Sequence, residues 1–518
     1  MSGHVGIDFG TTTTVVAVVD PLDGTASSIA LDPLSRVVHH DDSDSHSIPS
    51  LIHFDSSGGH VLGRAVEDRN LIESNATFRW MKPTIVEQLY DGPRPIGQRT
   101  LTQRQAAEEF LAAVFTQLQK AGFAKSRVCF TVPVHSFEEY VDWISDTATK
   151  NGFDDITFAD EPSAAGAGYD IGLTVGDHFL LFDFGGGTLD VSIIELLEPT
   201  GAAKQRVRVL GKGGVALGGR SIDRWIAEWA GTQSELDETT LERLRNELLV
   251  SAERAKITLS SKPKATVDAI DPMTGKVIAL DLDEREFERI LDDNRMFDMI
   301  EDTLRAALNQ AKDHNVGDSD LKGVLLVGGS SLIPAVRRHL SRRFGSNHVH
   351  LHKPIDAVAI GAARIASGAQ VENRLYHEYQ LRYQRNGRHE YEPIVAAGSP
   401  HPTDGWIEEL IVTSTTSGQS RFELELFETD VTRVKASGCE IFFDNEGKAR
   451  FGDGSADTDS YRRHICSESL EAKPSKAPEE ECIEIRFRVD ENRRLRLNAT
   501  DLRTLKSIHD DLPVTRLR

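Results

Sequence analysis

Short apolar runs alternate with amphipathic stretches along the chain up to about residue 368. Val5-Gly-Ile-Asp8, Val128-Cys-Phe-Thr-Val132, Phe179-Leu-Leu-Phe182 and Val324-Leu-Leu-Val327 read as buried strands. Gln103 to Ala113 and Thr240 to Leu259 carry the three-to-four-residue apolar period of helices. That alternation predicts a layered α/β architecture. Between Ser367 and His377 the pattern breaks into a polar connector. Beyond it, Phe422-Glu-Leu-Glu-Leu-Phe427 and Ile483-Glu-Ile-Arg-Phe-Arg-Val489 alternate apolar with charged positions, which predicts strands with one dry and one wet face. Asp490 to Arg493, leading into Leu495–Ala499, and Asp444 to Gly447 read as hairpin turns, and 452–460 and 472–481 as loops. The expected division is 1–368, 369–377 as linker, 378–505 as a β-sandwich and 506–518 as a short tail.

An internal repeat carries the chemistry. Asp8-Phe-Gly-x-x-Thr13-x-x-Val16 recurs as Asp183-Phe-Gly-x-x-Thr188-x-x-Val191, displaced by 175 residues at every matched position, each copy after an apolar strand. Two similar lobes, 1–175 and 176–368, would each contribute one bend to a shared cleft. Gly10 and Gly185-Gly-Gly187 remove side chains where backbone N–H groups would approach a phosphate, and Thr11 to Thr14 and Thr188 add hydroxyl donors. Asp8 and Asp183 would repel a polyphosphate unless Mg²⁺ lay between them. Val327-Gly-Gly-Ser330, before a helix opened by Pro334, suits ribose or adenosine contacts, and Leu217-Gly-Gly219 is a fourth glycine turn. No Gly-x-x-x-x-Gly-Lys-[Ser/Thr] loop occurs, which disfavours a P-loop enzyme.

The 518 residues include Lys+Arg 59 and Asp+Glu 81, a formal net charge of −22 that disfavours nucleic acid and anionic membranes as partners. No apolar run reaches the ~20 residues of a membrane helix, and the N-terminus shows no secretory signal. Cys129, Cys439, Cys466 and Cys482 are widely spaced with no Cys-x-x-Cys, as expected of reduced thiols in the cytoplasm.

With these motifs in hand, the chain resembles the seventy-kilodalton heat-shock chaperone family of the actin-like ATPase superfamily. The resemblance rests on Gly6-Ile-Asp-Phe-Gly-Thr-Thr12, Asp160-Glu-Pro-Ser-Ala-Ala165, Phe182-Asp-Phe-Gly-Gly-Gly-Thr-Leu-Asp190, Leu217-Gly-Gly219, Glu253-Arg-Ala-Lys-Ile-Thr-Leu-Ser-Ser261, Val327-Gly-Gly-Ser330 with Ile333-Pro334, and Ala357-Val-Ala-Ile-Gly-Ala-Ala363. It covers about 1–368, and Ile483 to Thr500 is similar to the family's peptide-binding sandwich. It implies a two-lobed actin-like (ribonuclease H-like) ATPase domain before an all-β domain. It further implies slow ATP hydrolysis to ADP and phosphate with Mg²⁺ and K⁺, and protein folding under stress. Asp8, Glu161 and Asp183 would surround hydrated Mg²⁺ and the attacking water. Gly10, Thr11, Thr12, Thr13 and Gly185 to Gly187 would hold the phosphates, and Thr188 and Asp190 would orient water or bind potassium. Gly218, Gly219, Glu253, Lys256, Ser260, Gly328, Gly329 and Ser330 would contact ribose and adenine.

Several positions depart from the family pattern. The cation near the γ-phosphate falls in Phe78-Arg-Trp-Met-Lys82, where Lys82 is the first choice and Arg79 the alternative. The base would lie between Ile257 and Leu332, positions where relatives often carry long cations, so a more apolar slot is expected. Ala369-Gln-Val-Glu-Asn-Arg-Leu375 lacks the leucine-rich connector that couples the family's domains, and the 17 residues after Asp501 are too few for the family's helical lid. The leading expectation is an ATP-hydrolysing chaperone that binds polypeptide clients, with J-domain and nucleotide-exchange co-chaperones as possible partners. The alternative is a nucleotide-gated scaffold for one dedicated folded partner with weak or no ATPase activity.

Overall fold

The computed structural model describes residues 3–39, 44–86, 89–133, 136, 138–169, 174–198, 206–271, 273–351, 355–372, 375, 377–385, 388–399, 403, 405–429, 433–434, 441–443, 449–451, 462–490 and 494–517. The turn expected at 444–447 and the loop at 452–460 lie outside these residues. The chain divides into two compact units, one of residues 1–372 with 434–455 and the other of 373–433 with 456–518.

The first unit holds two mixed sheets of matching topology. In one, His4–Phe9 pairs antiparallel with Thr13–Val19 and parallel with Arg127–Val132, beyond which lies Ile156–Asp160. In the other, His178–Phe184 pairs antiparallel with Leu189–Leu197 and parallel with Leu321–Val327, beyond which lies Val349–His350. Each repeat is therefore a hairpin at the same place in its own sheet. The helices follow local signals. Gln103–Leu118 opens on Thr102, whose hydroxyl accepts from the Gln105 N–H while the Gln105 side chain accepts from the Thr102 N–H. It buries Ala106, Phe110, Leu111, Val114 and Leu118 on one face. Glu238–Leu259 is capped by Asp237.

Separate apolar cores fill the two lobes, around Phe110 and Phe130 in the first and Phe182, Trp225 and Leu248 in the second. Between them, Glu161–Gly168 crosses Ala357–Ala366 at a contact that only small residues permit. A Cβ added at Gly361 would sit 1.6 Å from the Ala164 carbonyl oxygen, and one at Gly168 would sit 1.9 Å from that of Ala357.

The second unit is a sandwich of two four-stranded antiparallel sheets. Their orders are Arg388–Val395, Glu378–Arg385, Arg421–Thr429, Arg462–Glu471 and Glu408–Thr413, Glu481–Val489, Arg494–Asp501, Lys506–Arg516. Inward residues of both sheets, among them Tyr379, Leu424, Leu470, Ile485, Phe487 and Leu497, share one core. Two expectations need correction. The segment 506–518, expected as a tail, supplies the strand Lys506–Arg516, with Leu517 buried in the core. Three register irregularities and Pro513 blur its two-residue period. The connector 369–377 is not wholly irregular either. Gln370–Glu372 adds a parallel strand beside Arg206–Arg208, a pairing fixed by the edge it meets rather than by its own polar sequence.

Candidate functional site

The two repeated bends face one another across a cavity of about 370 Å³ in the first unit, within the ~300–1,000 Å³ range of small-molecule sites. Asp8 lies near the end of its strand opposite Val15, and Asp183 near the end of its own opposite Asp190. The first bend is tied down by Ser50, whose hydroxyl donates to the Gly10 carbonyl and whose N–H donates to that of Thr12. The second is tied by the Ser330 hydroxyl and the Gly219 N–H, both donating to the Gly185 carbonyl. The approach is close: a Cβ at Gly186 would lie 2.5 Å from Thr12 Oγ1, and one at Gly187 2.8 Å from Thr11 Oγ1. Gly328 has φ +78, and a Cβ there would meet the Phe184 carbonyl and Asp183 Oδ1.

Every candidate site residue named from the sequence lines this cavity except Thr14, Asp190, Gly218 and Arg79. Thr14 is buried, with its hydroxyl against that of Ser50. Gly218 does not reach it. It packs so tightly on the second bend that a Cβ would lie 2.5 Å from the Gly186 carbonyl carbon. Arg79 lies over the Trp80 ring and lines an adjoining cavity, whereas Lys82 lines the main one, pairs with Glu161 and so is the cation brought to the carboxylates. Ile257 and Leu332 both line the wall.

Lys82 sits among several acids. Burial opposes its charge, but Glu161, with Tyr140 and Asp8, outweighs this and holds the ammonium above its ordinary value. Asp183 is pushed well above the usual carboxylate range by burial, then by Glu161, Asp190 and Asp8. Asp190 is raised to about 8 by burial and then Glu161, which the neighbouring Thr188 hydroxyl only partly offsets. The common cause is an excess of buried negative charge, which a cation would relieve. Among the described residues no three His, Cys, Asp or Glu side chains cluster closely enough to hold a metal ion directly.

Supporting residues escaped the sequence reading. Thr131 donates to Asp8 Oδ1 at 2.8 Å. Asp160 caps the helix that begins at Glu161 by accepting from the Ser163 N–H, and forms a buried pair with Lys212 at 2.9 Å. Burial works against its charge, but Lys212 and Ser163 bring Asp160 down to about 2. Asp223 holds Lys256 at 2.7 Å, with its own carboxyl raised to about 7 by burial despite that partner. Arg36, Pro83, Pro133, Ile355 and Val358 also line the cavity. Asp160 had a local signal, a capping acid just before Glu161-Pro162, Pro83 adjoins Lys82 and Val358 lies in the motif 357–363; Thr131, Lys212, Asp223, Arg36, Pro133 and Ile355 carried no local signal.

Comparison with known proteins places these features in context. A family model described as Hsp70 protein matches residues 4–375. The chain is 28% identical over 382 residues to a chaperone protein HscA homolog of Cupriavidus metallidurans, covering 70% of this chain and 58% of that one. It is 27% identical over 379 residues to one of Burkholderia multivorans, covering 69% and 57%. It is 28% identical over 382 residues to one of Haemophilus influenzae, covering 69% and 56%. The chain thus matches less than two thirds of the length of these relatives.

Proposed function

Because this chain belongs to the Hsp70 protein family, we propose that it is an ATP-hydrolysing chaperone whose first unit binds and turns over nucleotide and whose β unit holds polypeptide. The observation that carries this is the facing pair of glycine- and threonine-rich bends, each with an aspartate near its strand end. ATP and Mg²⁺ fit the residues present. The close-set Gly186 and Gly187 leave room only for backbone at the bend, and the crowded Asp8, Glu161 and Asp183 require positive charge. These three acids would hold Mg²⁺ mainly through its waters, and Asp190 with Thr188 would suit K⁺ or a water. When bound, the metal supplies neutralisation of phosphate charge.

The chain's own groups do the rest. Thr11, Thr12 and the backbone of Gly185 to Gly187 would grip the phosphates, and Lys82, fixed by Glu161, would offer an ammonium to the charge that develops in transfer. Thr131 keeps Asp8 aimed at the cavity, and the Asp160–Lys212 pair fixes the helix start that presents Glu161. Glu253, Lys256, Ser260, Gly328, Gly329 and Ser330, with the Ile257–Leu332 slot, would receive ribose and base. A dedicated scaffold without turnover has no specific support in a cavity that keeps both carboxylates and cation. Relatives named as chaperones favour polypeptide clients and co-chaperones as partners. The cysteines among the described residues are thiols, and a cytoplasmic location forms part of this proposal. No helix among the described residues is long and apolar enough to cross a membrane.

The test is phosphate release from ATP by the unaltered chain beside Asp183→Asn and Lys82→Ala. Each substitution should reduce turnover by about 10²–10³, as loss of one preorganised charge does. Undiminished turnover in Asp183→Asn would overturn the assignment of the site, and undiminished turnover in Lys82→Ala would remove that residue from it.

A further inference from the structure

Arg36 begins the strand Arg36–His39 in the first lobe and donates from Nη1 to Glu67 Oε1 at 2.8 Å. It lines the main cavity and also a second one of about 270 Å³. Thr11, Thr12, Glu253 and Ile257 line both as well, so the two spaces meet at these five side chains. Of the cations lining the main cavity among the described residues, two are buried in fixed pairs. Lys82 is 7% exposed against Glu161, and Lys256 is 11% exposed against Asp223. Arg36 is 39% exposed, and its partner Glu67 29%. A half-exposed ion pair of this kind contributes little, whereas a guanidinium bound to phosphate makes charge-assisted, often bidentate hydrogen bonds. Glu67 is itself an uneasy partner: burial raises its carboxyl, Arg36 only partly offsets this, and Glu253 adds repulsion.

We propose that Arg36 binds the nucleotide directly, exchanging its bond to Glu67 for one to the phosphate chain beside Thr11 and Thr12, and thereby sets how long the nucleotide stays. The inference rests on the reading of the main cavity as a nucleotide site. Its rival is that Arg36 acts only by neutralising Glu67 near an anionic ligand. The two differ when both residues are changed together. A direct contact is still missing in Arg36→Ala/Glu67→Gln, whereas a neutralising role is no longer needed there.

The experiment is release of a fluorescent ADP from the full chain in Mg²⁺, alongside equilibrium binding of adenosine. Arg36→Ala should speed ADP release by about tenfold or more, the worth of one hydrogen bond to a charged group. The double variant should be equally fast, and adenosine affinity should be unchanged in both. Arg36→Gln serves the same comparison should Arg36→Ala lower the melting temperature. Release at the unaltered rate in the single variant, or return to that rate in the double variant, would overturn the inference while leaving the nucleotide site standing. Failure of the unaltered chain to bind ADP at all would overturn both.

Discussion

At the scale of single residues, four carboxylates, Asp8, Glu161, Asp183 and Glu253, line the cavity against three cations, Arg36, Lys82 and Lys256, and Asp190 lies opposite Asp183, which makes titration a readout of the site. Asp190, at about 8, keeps its proton in the folded chain through the range in which an unfolded aspartate, near ~4, has lost it. A group raised in this way stabilises the fold fully at low pH, and that contribution is lost as pH rises toward about 8. Asp190→Asn cannot ionise. Without nucleotide or metal, its melting temperature should gain on that of the unaltered chain steadily from pH 5 to pH 8 and then level off. A difference that stayed constant across that range would show that Asp190 is not held protonated. Asp183, raised for the same reason, acts in the same direction, so the ligand-free protein as a whole should lose stability across this window and recover part of it when Mg²⁺ and nucleotide bring positive charge.

At the scale of elements, the crossing of Glu161–Gly168 with Ala357–Ala366 positions Glu161. Glu161 is the first residue of one helix, and the other helix packs on the strands His4–Phe9 and Thr13–Val19 that lead into and out of the first bend. A methyl group at Gly361 would have to displace the backbone of Ala164, because no flexible side chain is there to yield. Gly361→Ala should therefore cost about 1–3 kcal/mol of stability, the range for overpacking, read as a lower urea midpoint, and should weaken ATP binding as Glu161 shifts. A midpoint equal to that of the unaltered chain would mean that the helices part easily. The bends depend on neighbouring elements in the same way. Ser50, following the strand Asp44–Pro49, and Ser330, following Leu321–Val327, each fasten one bend by a side-chain hydrogen bond to its glycine carbonyl.

At the scale of the whole molecule, the two units have apolar cores with no residue in common. A ligand that binds one folded unit raises that unit's stability by mass action, about 2.7 kcal/mol at a hundredfold excess over Kd. Calorimetry with Mg²⁺ and ATP should therefore move the transition of the first unit and leave that of the β unit in place. Tryptophan fluorescence can separate them, since Trp80, Trp143, Trp225 and Trp229 belong to the first unit and Trp406 alone to the second. In Trp406→Phe the remaining signal should melt at the nucleotide-dependent temperature. Equal upward shifts in both transitions would overturn the assignment of nucleotide to the first unit.

Local sequence determined the parts that local physics controls. The repeat displaced by 175 residues marked two hairpins because strand alternation, a glycine that can enter a tight bend and a hydroxyl beside it are properties of neighbouring residues. The capped helices Gln103–Leu118 and Glu238–Leu259 and the core strands were legible for the same reason. Tertiary structure alone decided which side chains share the cavity. Lys82 meets Glu161 across 79 positions, Asp160 meets Lys212 across 52 and Asp8 meets Thr131 across 123, and no periodicity reports partners so remote. The strands Gln370–Glu372 and Lys506–Arg516 were likewise settled by the sheet edges they join, since backbone pairing is indifferent to side-chain pattern where one strand is polar and the other irregular in register. Sequence thus wrote the bends and their chemistry, and the packing of lobe on lobe chose the cations and supporting hydrogen bonds around them, because electrostatic and hydrogen-bond energies depend on distance in space and not along the chain.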